Sequence, residues 1–196
     1  MLIIIQGLIS SGKDYLCKAL QENGIDKLVG YTTRAMRIGE VNGVEYHFID
    51  KQTYHTMNDA QPFVATRTAT VISKDEDGED SREIQFYGIH TNSVDLSRHQ
   101  TIILDENGTN QMAEAIGRDN CLVLRLVCDE DVLKKRAKLR GDNMLEFAER
   151  IEADKRSFTG DNFDYELNTT NGTAQYVDFI LGKLEYNLVG RKEKLQ

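Results

Sequence analysis

No stretch of the 196-residue chain is apolar for long enough to cross a bilayer. The opening residues also lack the basic segment, apolar run and small-residue cleavage site of a secretory signal, which predicts a cytoplasmic protein. Basic charge is short as well: 24 lysines and arginines stand against 32 acids, for a net charge of −8. A molecule with that field does not attract nucleic acid or an anionic membrane, so phosphate recognition has to come from local cationic clusters. Cysteine is scarce and odd in number. Cys17, Cys121 and Cys128 lie in or beside apolar stretches and read as reduced thiols, not as a disulfide framework. His47, His55, His90 and His99 show no paired metal-ligand spacing. Internal repeats are missing, and Pro62 is the sole proline. The remaining composition, 40% hydrophobic, suffices for one buried core with room for insertions.

The segment Met1 to Asp14, MLIIIQGLISSGKD, is the most informative. An apolar, β-branched run at Leu2 to Ile5 leads into Gly7-x4-Gly12-Lys13, and Tyr15, Leu16, Ala19 and Leu20 follow at helical spacing. Strand, glycine loop and helix in that order form a phosphate-binding P-loop. Successive backbone N–H groups turn inward around the anion, the helix adds its positive dipole end, and the lysine reaches the β- and γ-phosphates. The expected ATP-binding set is Gly7, Ser10, Ser11, Gly12, Lys13, Asp14 and Tyr15. Asp14 occupies the place of the usual Ser or Thr whose hydroxyl ligates magnesium. Its carboxylate is either an oxygen ligand for Mg2+, directly or through water, or a first-turn acid favoured by the helix dipole.

Three further apolar runs read as core strands: Leu28 to Val29 with its flanks, Thr101 to Leu104, and Cys121 to Val127. Helical spacing marks Gln111 to Ile116, Asp129 to Lys138, Leu145 to Arg156 and Thr173 to Leu188. Alternation of this kind predicts an α/β protein with a mostly parallel sheet, whose ligand lies at the carboxyl ends of the strands. Between Tyr31 and about Thr91 the pattern becomes Thr-, Tyr- and Phe-rich and is broken by glycines, so an inserted, strand-rich subdomain is expected there. Within it, Lys74 to Asp80 reads as a solvated acidic hairpin tip without EF-hand spacing, and Arg191 to Gln196 reads as a frayed tail. Asp105, at the end of the run TIIL, is a candidate for holding magnesium or its waters, with a plain turn aspartate as the alternative.

In YTTRAMRIGEVNGVEYHFID, Tyr31 to Asp50, two arginines three apart precede a glycine turn and a tyrosine. Guanidinium forks and a phenol can together grip one phosphate. With this block, the P-loop, Tyr87–Gly88, ILDEN at Ile103 to Asn107, LKKRxxxRG at Leu133 to Gly141 and the ERI segment at Glu149, the chain resembles guanylate kinase over nearly its whole length. The resemblance implies a three-layer P-loop nucleoside monophosphate kinase that uses ATP and Mg2+ and has small-molecule nucleotides as its partners, as a monomer or homodimer. It implies a core at 1–30, 92–135 and 157–196, a monophosphate-binding insertion at 31–91 and a lid at 136–156.

Position by position, the resemblance makes Arg34, Arg37, Tyr46 and Tyr87 ligands of the acceptor phosphate, with Asn107 beside the acceptor base. Arg136, Arg140 and Arg150 take the places of the triphosphate-binding and transition-state arginines and act with Lys13. The expected reaction moves the γ-phosphoryl of ATP to GMP or dGMP. The departures cluster in the base pocket: Ala65 stands where the family has a guanine-reading glutamate, Ile89 where it has a small hydroxyl residue, and Asn107 where it has an aspartate. Thr66, Thr68 and Glu83 are candidate replacements, and another deoxynucleotide or a ribose bisphosphate is the alternative acceptor. A non-catalytic scaffold domain would have a degraded P-loop and no lid arginines, contrary to this sequence.

Overall fold

The computed structural model describes every residue except 38, 75–79 and 194–196, and only the backbone of 71–74, 80–82 and 186–193. Its internal contacts divide the chain into two compact units. One comprises 1–27, 96–106 and 120–196, and the other 28–95 and 107–119.

The first unit is built on a five-stranded parallel sheet. In chain order its strands are β1 (Leu2–Gly7), β2 (Asp26–Lys27), β7 (Gln100–Ile103), β8 (Cys121–Val127) and β9 (Tyr165–Asn168), arranged β2-β7-β1-β8-β9. Burial of β1 on both faces explains why it reads as an unbroken apolar run. Helices α1 (Lys13–Glu22) and α6 (Val177–Glu193) cover one face, where Leu16, Cys17, Leu20, Ile180 and Leu184 pack with Ile3, Ile5, Leu122, Leu124 and Leu126. Burial pushes the Cys17 thiol up to about 11, so it is an inert core residue. All three cysteines are free thiols. Helices α4 (Glu130–Arg140) and α5 (Met144–Ser157) pair through Leu133, Ala137, Phe147 and Ile151, and this small core takes in Leu8 and Ile9 of the glycine loop. Gly141, with φ of 83°, ends α4, and Asn143 starts α5 by accepting from the N–H groups of Leu145 and Glu146.

The second unit has a four-stranded sheet of order β4-β3-β6-β5, from β3 (Gly30–Thr32), β4 (Tyr46–Phe48), β5 (Val64–Lys74) and β6 (Asp80–Ile89). Helix α2 (Lys51–Ala60) belongs to it, capped by the Asp50 carboxylate, which accepts from Thr53 N–H. Most of α3 (Glu106–Ile116) does too. The α/β class and the parallel sheet agree with the sequence, and three details differ from it. Leu28 and Val29 form no strand; they join β2 of one sheet to β3 of the other, so an apolar pair of one buried and one half-buried residue at a crossing imitates a strand. Helix α2 hides in a polar stretch because Tyr54 is its one buried residue. Strand β9 shows only a short Tyr165/Leu167 alternation and, among the described residues, pairs with β8 alone. The tip 75–79 and the tail 194–196 lie outside the described residues, while β5 and β6 pair antiparallel up to Lys74 and Asp80.

Candidate active site

At the carboxyl end of β1 the chain turns through Gly7 (φ 146°), Ser10 (φ 62°) and Gly12 (φ 97°) into α1. A Cβ on Gly7 would stand 2.7 Å from the Leu126 carbonyl oxygen and 2.7 Å from Ser11 Oγ, so the loop closes only with glycine there. Gly12 occupies the N-cap of α1 and no side chain among the described residues caps the helix, which leaves its first N–H donors for an anion. Lys13 Nζ donates to the carbonyls of Gly7 and Leu8, both at 2.8 Å, and is thereby folded over the loop. Ser11 is buried, and its hydroxyl has no partner among the described residues.

Other elements hold this loop from outside. Arg136 on α4 donates to the carbonyl oxygens of Ser10 (3.3 Å) and Thr169 (2.7 Å). Arg140, one turn on, donates to Ser10 Oγ at 3.2 Å and pairs with Asp142, whose hydrogen bonds raise its pKa further. Arg150 is exposed on α5. A hydrogen bond from α5 to the loop is made instead by Asp154, which accepts from Ile9 N–H at 2.9 Å. Thr169 Oγ1 donates to the Ser11 carbonyl at 2.8 Å. Asp154 and Thr169 were missed in the sequence; the one signal for Asp154 is its i,i+4 relation to Arg150 on one helix face.

Gly12, Tyr15 and Arg136 share a cleft of about 620 Å³ with Asn171 to Gln175. Asp14 is exposed in the first turn of α1, and Asp105 is half-buried just past β7. Ile5 pairs with Ile103, the last residue of β7, and Asp105 follows two residues beyond that pair. The described residues contain no cluster of three or more metal-binding side chains. Two separate carboxylates fit Mg2+, which keeps several waters and is held by one or two carboxylates plus substrate phosphates.

In the second unit, Arg34 is buried. Its guanidinium makes a two-pronged ion pair with Glu40, 2.8 Å on each arm, and donates to Ala35 O at 2.7 Å. It also lies 5.8 Å from the Tyr46 ring centre and 5.3 Å from that of Phe48. The Tyr46 and Tyr87 rings meet edge-on at 5.7 Å. The hydrogen bonds between the partners push Arg34 up and Glu40 down in pKa, and the Tyr87 hydroxyl adds to the effect on Arg34. Arg37 is exposed, with its backbone N–H on the same Glu40 carboxylate at 2.8 Å. Arg34, Tyr46 and Tyr87 therefore form one cluster with Arg37 at its rim. Arg67, which the sequence did not single out, stacks 5.3 Å over the Tyr87 ring.

A model of the AAA domain family matches residues 3–156. Among curated proteins, guanylate kinase of Helicobacter hepaticus is 28% identical over 203 aligned positions, covering 98% of this chain and 95% of that one. Guanylate kinase 2 of rice is 27% identical, covering 89% of this chain. The chain belongs to the AAA-domain family, and it is similar to these guanylate kinases over most of its length. A guanylate kinase of Chromohalobacter salexigens is 42% identical over 65 residues. The match takes in 30% of that protein and 60% of the rice one, under two thirds of either. The crystal structure of guanylate kinase from Anaplasma phagocytophilum shares the fold, with a TM-score of 0.61 at 21% identity over 95% of this chain and 85% of that one.

Set against the guanylate kinase family, the departures have structural form here. Ala65 is buried with φ of 51°, at a bulge where the β5–β6 register shifts. Ile89 is buried, and its Cδ1 lies 2.5 Å from where a Cβ of Gly30 would stand. Glu83 is held by Lys51 at 2.6 Å and by Gln85 at 2.8 Å. Thr66, Thr68 and Asn107 instead line one cleft of about 600 Å³, with Arg67 and Gln111.

Proposed function

We propose that the protein is an ATP-dependent nucleoside monophosphate kinase of the cytoplasm, transferring the γ-phosphoryl of ATP to GMP or dGMP. The observation that carries this reading is a P-loop with its lysine over an uncapped helix start in one unit, together with a cluster of buried Arg34 and half-buried Tyr46 and Tyr87 in the other.

The P-loop amides of 7–13 bind the triphosphate, and Lys13 leaves the Gly7 and Leu8 carbonyls to meet its β- and γ-oxygens. Arg136 and Arg140, with Arg150 from α5, supply positive charge where the transferring group spreads its negative charge. Arg34 and Arg37 grip the acceptor phosphate, which takes the place of Glu40 on the Arg34 fork, and the tyrosines complete its shell. An oxygen of that phosphate, already an anion near neutral pH, forms the new bond to γ-phosphorus. The bond to the β–γ bridging oxygen breaks, and ADP leaves with the electron pair. No general base is required, so alignment and charge carry the catalysis. Asp14 and Asp105 are the residues that would hold Mg2+, which supplies charge neutralisation at the phosphate oxygens when bound.

Arg37→Ala tests the assignment of the second unit. Loss of a charge-assisted hydrogen bond is expected to raise the acceptor KM by about tenfold or more while the KM for ATP stays within about twofold. A rise confined to ATP would overturn it.

A further inference from the structure

The cleft of the second unit has a wall whose hydrogen-bonding sense is fixed. Gln111 Oε1 lies 2.9 Å from Thr66 N and 3.3 Å from Thr66 Oγ1. A backbone N–H can only donate, so the oxygen of the Gln111 amide must be the atom turned to Thr66. The amide NH2 is then left for the cleft that Gln111 lines. Arg67, on the same cleft, is a donor in every state. The bulge that puts Ala65 at φ 51° carries Thr66 into this contact, so the local departure from the family and the orientation of Gln111 have one cause.

The chemistry of the bases follows from that sense. Guanine offers O6 as an acceptor, and thymine and uracil offer O4; adenine and cytosine place an amino donor at the corresponding position. Guanine N1–H and the N3–H of thymine and uracil are donors in the same relation to the keto oxygen, so the 2-amino group is what sets guanine apart, and neither place where the family has a carboxylate keeps one, since Ala65 has no acceptor and Asn107 has a neutral amide. We propose that Gln111 is a specificity-determining residue whose amide NH2 donates to the keto oxygen of the acceptor base. The enzyme then takes keto-base monophosphates as a class, thymidylate and uridylate with guanylate, and rejects AMP and CMP. The proposal rests on the reading that this cleft receives the base of the acceptor.

The test is a panel of GMP, dTMP, UMP, AMP and CMP, read both as ADP release with ATP and as equilibrium binding by calorimetry, on the wild type and on Gln111→Glu. In the wild type, GMP, dTMP and UMP are expected within about tenfold of one another, and AMP and CMP at least a hundredfold weaker, because a donor facing a donor leaves both unpaired. Gln111→Glu keeps an oxygen for Thr66 N–H and turns an acceptor to the base, so the keto bases should lose at least tenfold while AMP and CMP gain, with the KM for ATP unchanged. Use of GMP alone by the wild type, or an equal loss for all five nucleotides in the variant, overturns the proposal. Should the variant not fold, the wild-type panel decides by itself. Keto-selective binding without turnover would leave the base reading standing and sink the kinase reading; turnover of GMP only would do the reverse.

Discussion

Glu40 and Arg34 show how one residue pair can prepare a site for an anion it has not met. The carboxylate sits on the guanidinium fork where a phosphate would, and so the cation is kept in place and compensated inside a half-buried cluster. Because Glu40 has a depressed pKa in the fold, its contribution to stability is present above the ordinary carboxylate pKa of about 4.3 and is lost as pH falls through the lower folded value. Glu40→Gln should therefore unfold at a lower urea midpoint than the wild type at pH 7, and the gap should close as pH falls below about 4. A gap independent of pH would contradict the ion pair. Residues of this kind were legible where the motif is contiguous, as at Gly7 to Lys13 and at Arg34. Those whose partner is far away in sequence were not: Asp154 meets Ile9 across 145 positions, and Gln111 meets Thr66 across 45.

Helices α4 and α5 carry the loop-gripping groups, so the joint between them matters beyond its own turn. Asn143 caps α5 through Leu145 N–H at 2.9 Å, and the same helix brings Asp154 to Ile9. Asn143→Ala is expected to cost about 1 kcal/mol of unfolding free energy, measured by urea titration. No loss would show that the cap is idle. Elements with strong periodicity or a buried apolar run, such as β1, β8 and α5, could be read from the sequence. Helix α2 and strand β9 could not, since α2 buries only Tyr54, and β9 commits only Leu167 with the half-buried Tyr165 to the core.

Taken whole, the molecule is acidic, with a net charge of −8, yet each of its two units concentrates cations around one place suited to phosphate. Field and composition alone point away from polyanions, and only the motifs say where small ones are welcome. Class and sheet type followed from alternating apolar runs; the strand order β2-β7-β1-β8-β9 did not, because order is set by crossovers that periodicity does not encode. The most direct measurement is ADP release from ATP and Mg2+ with and without GMP, in the wild type and in Lys13→Ala. The account predicts ADP only when GMP is present, and a fall of at least about a thousandfold in the folded Lys13→Ala variant. Equal ADP release without GMP, or undiminished transfer in the variant, would contradict it.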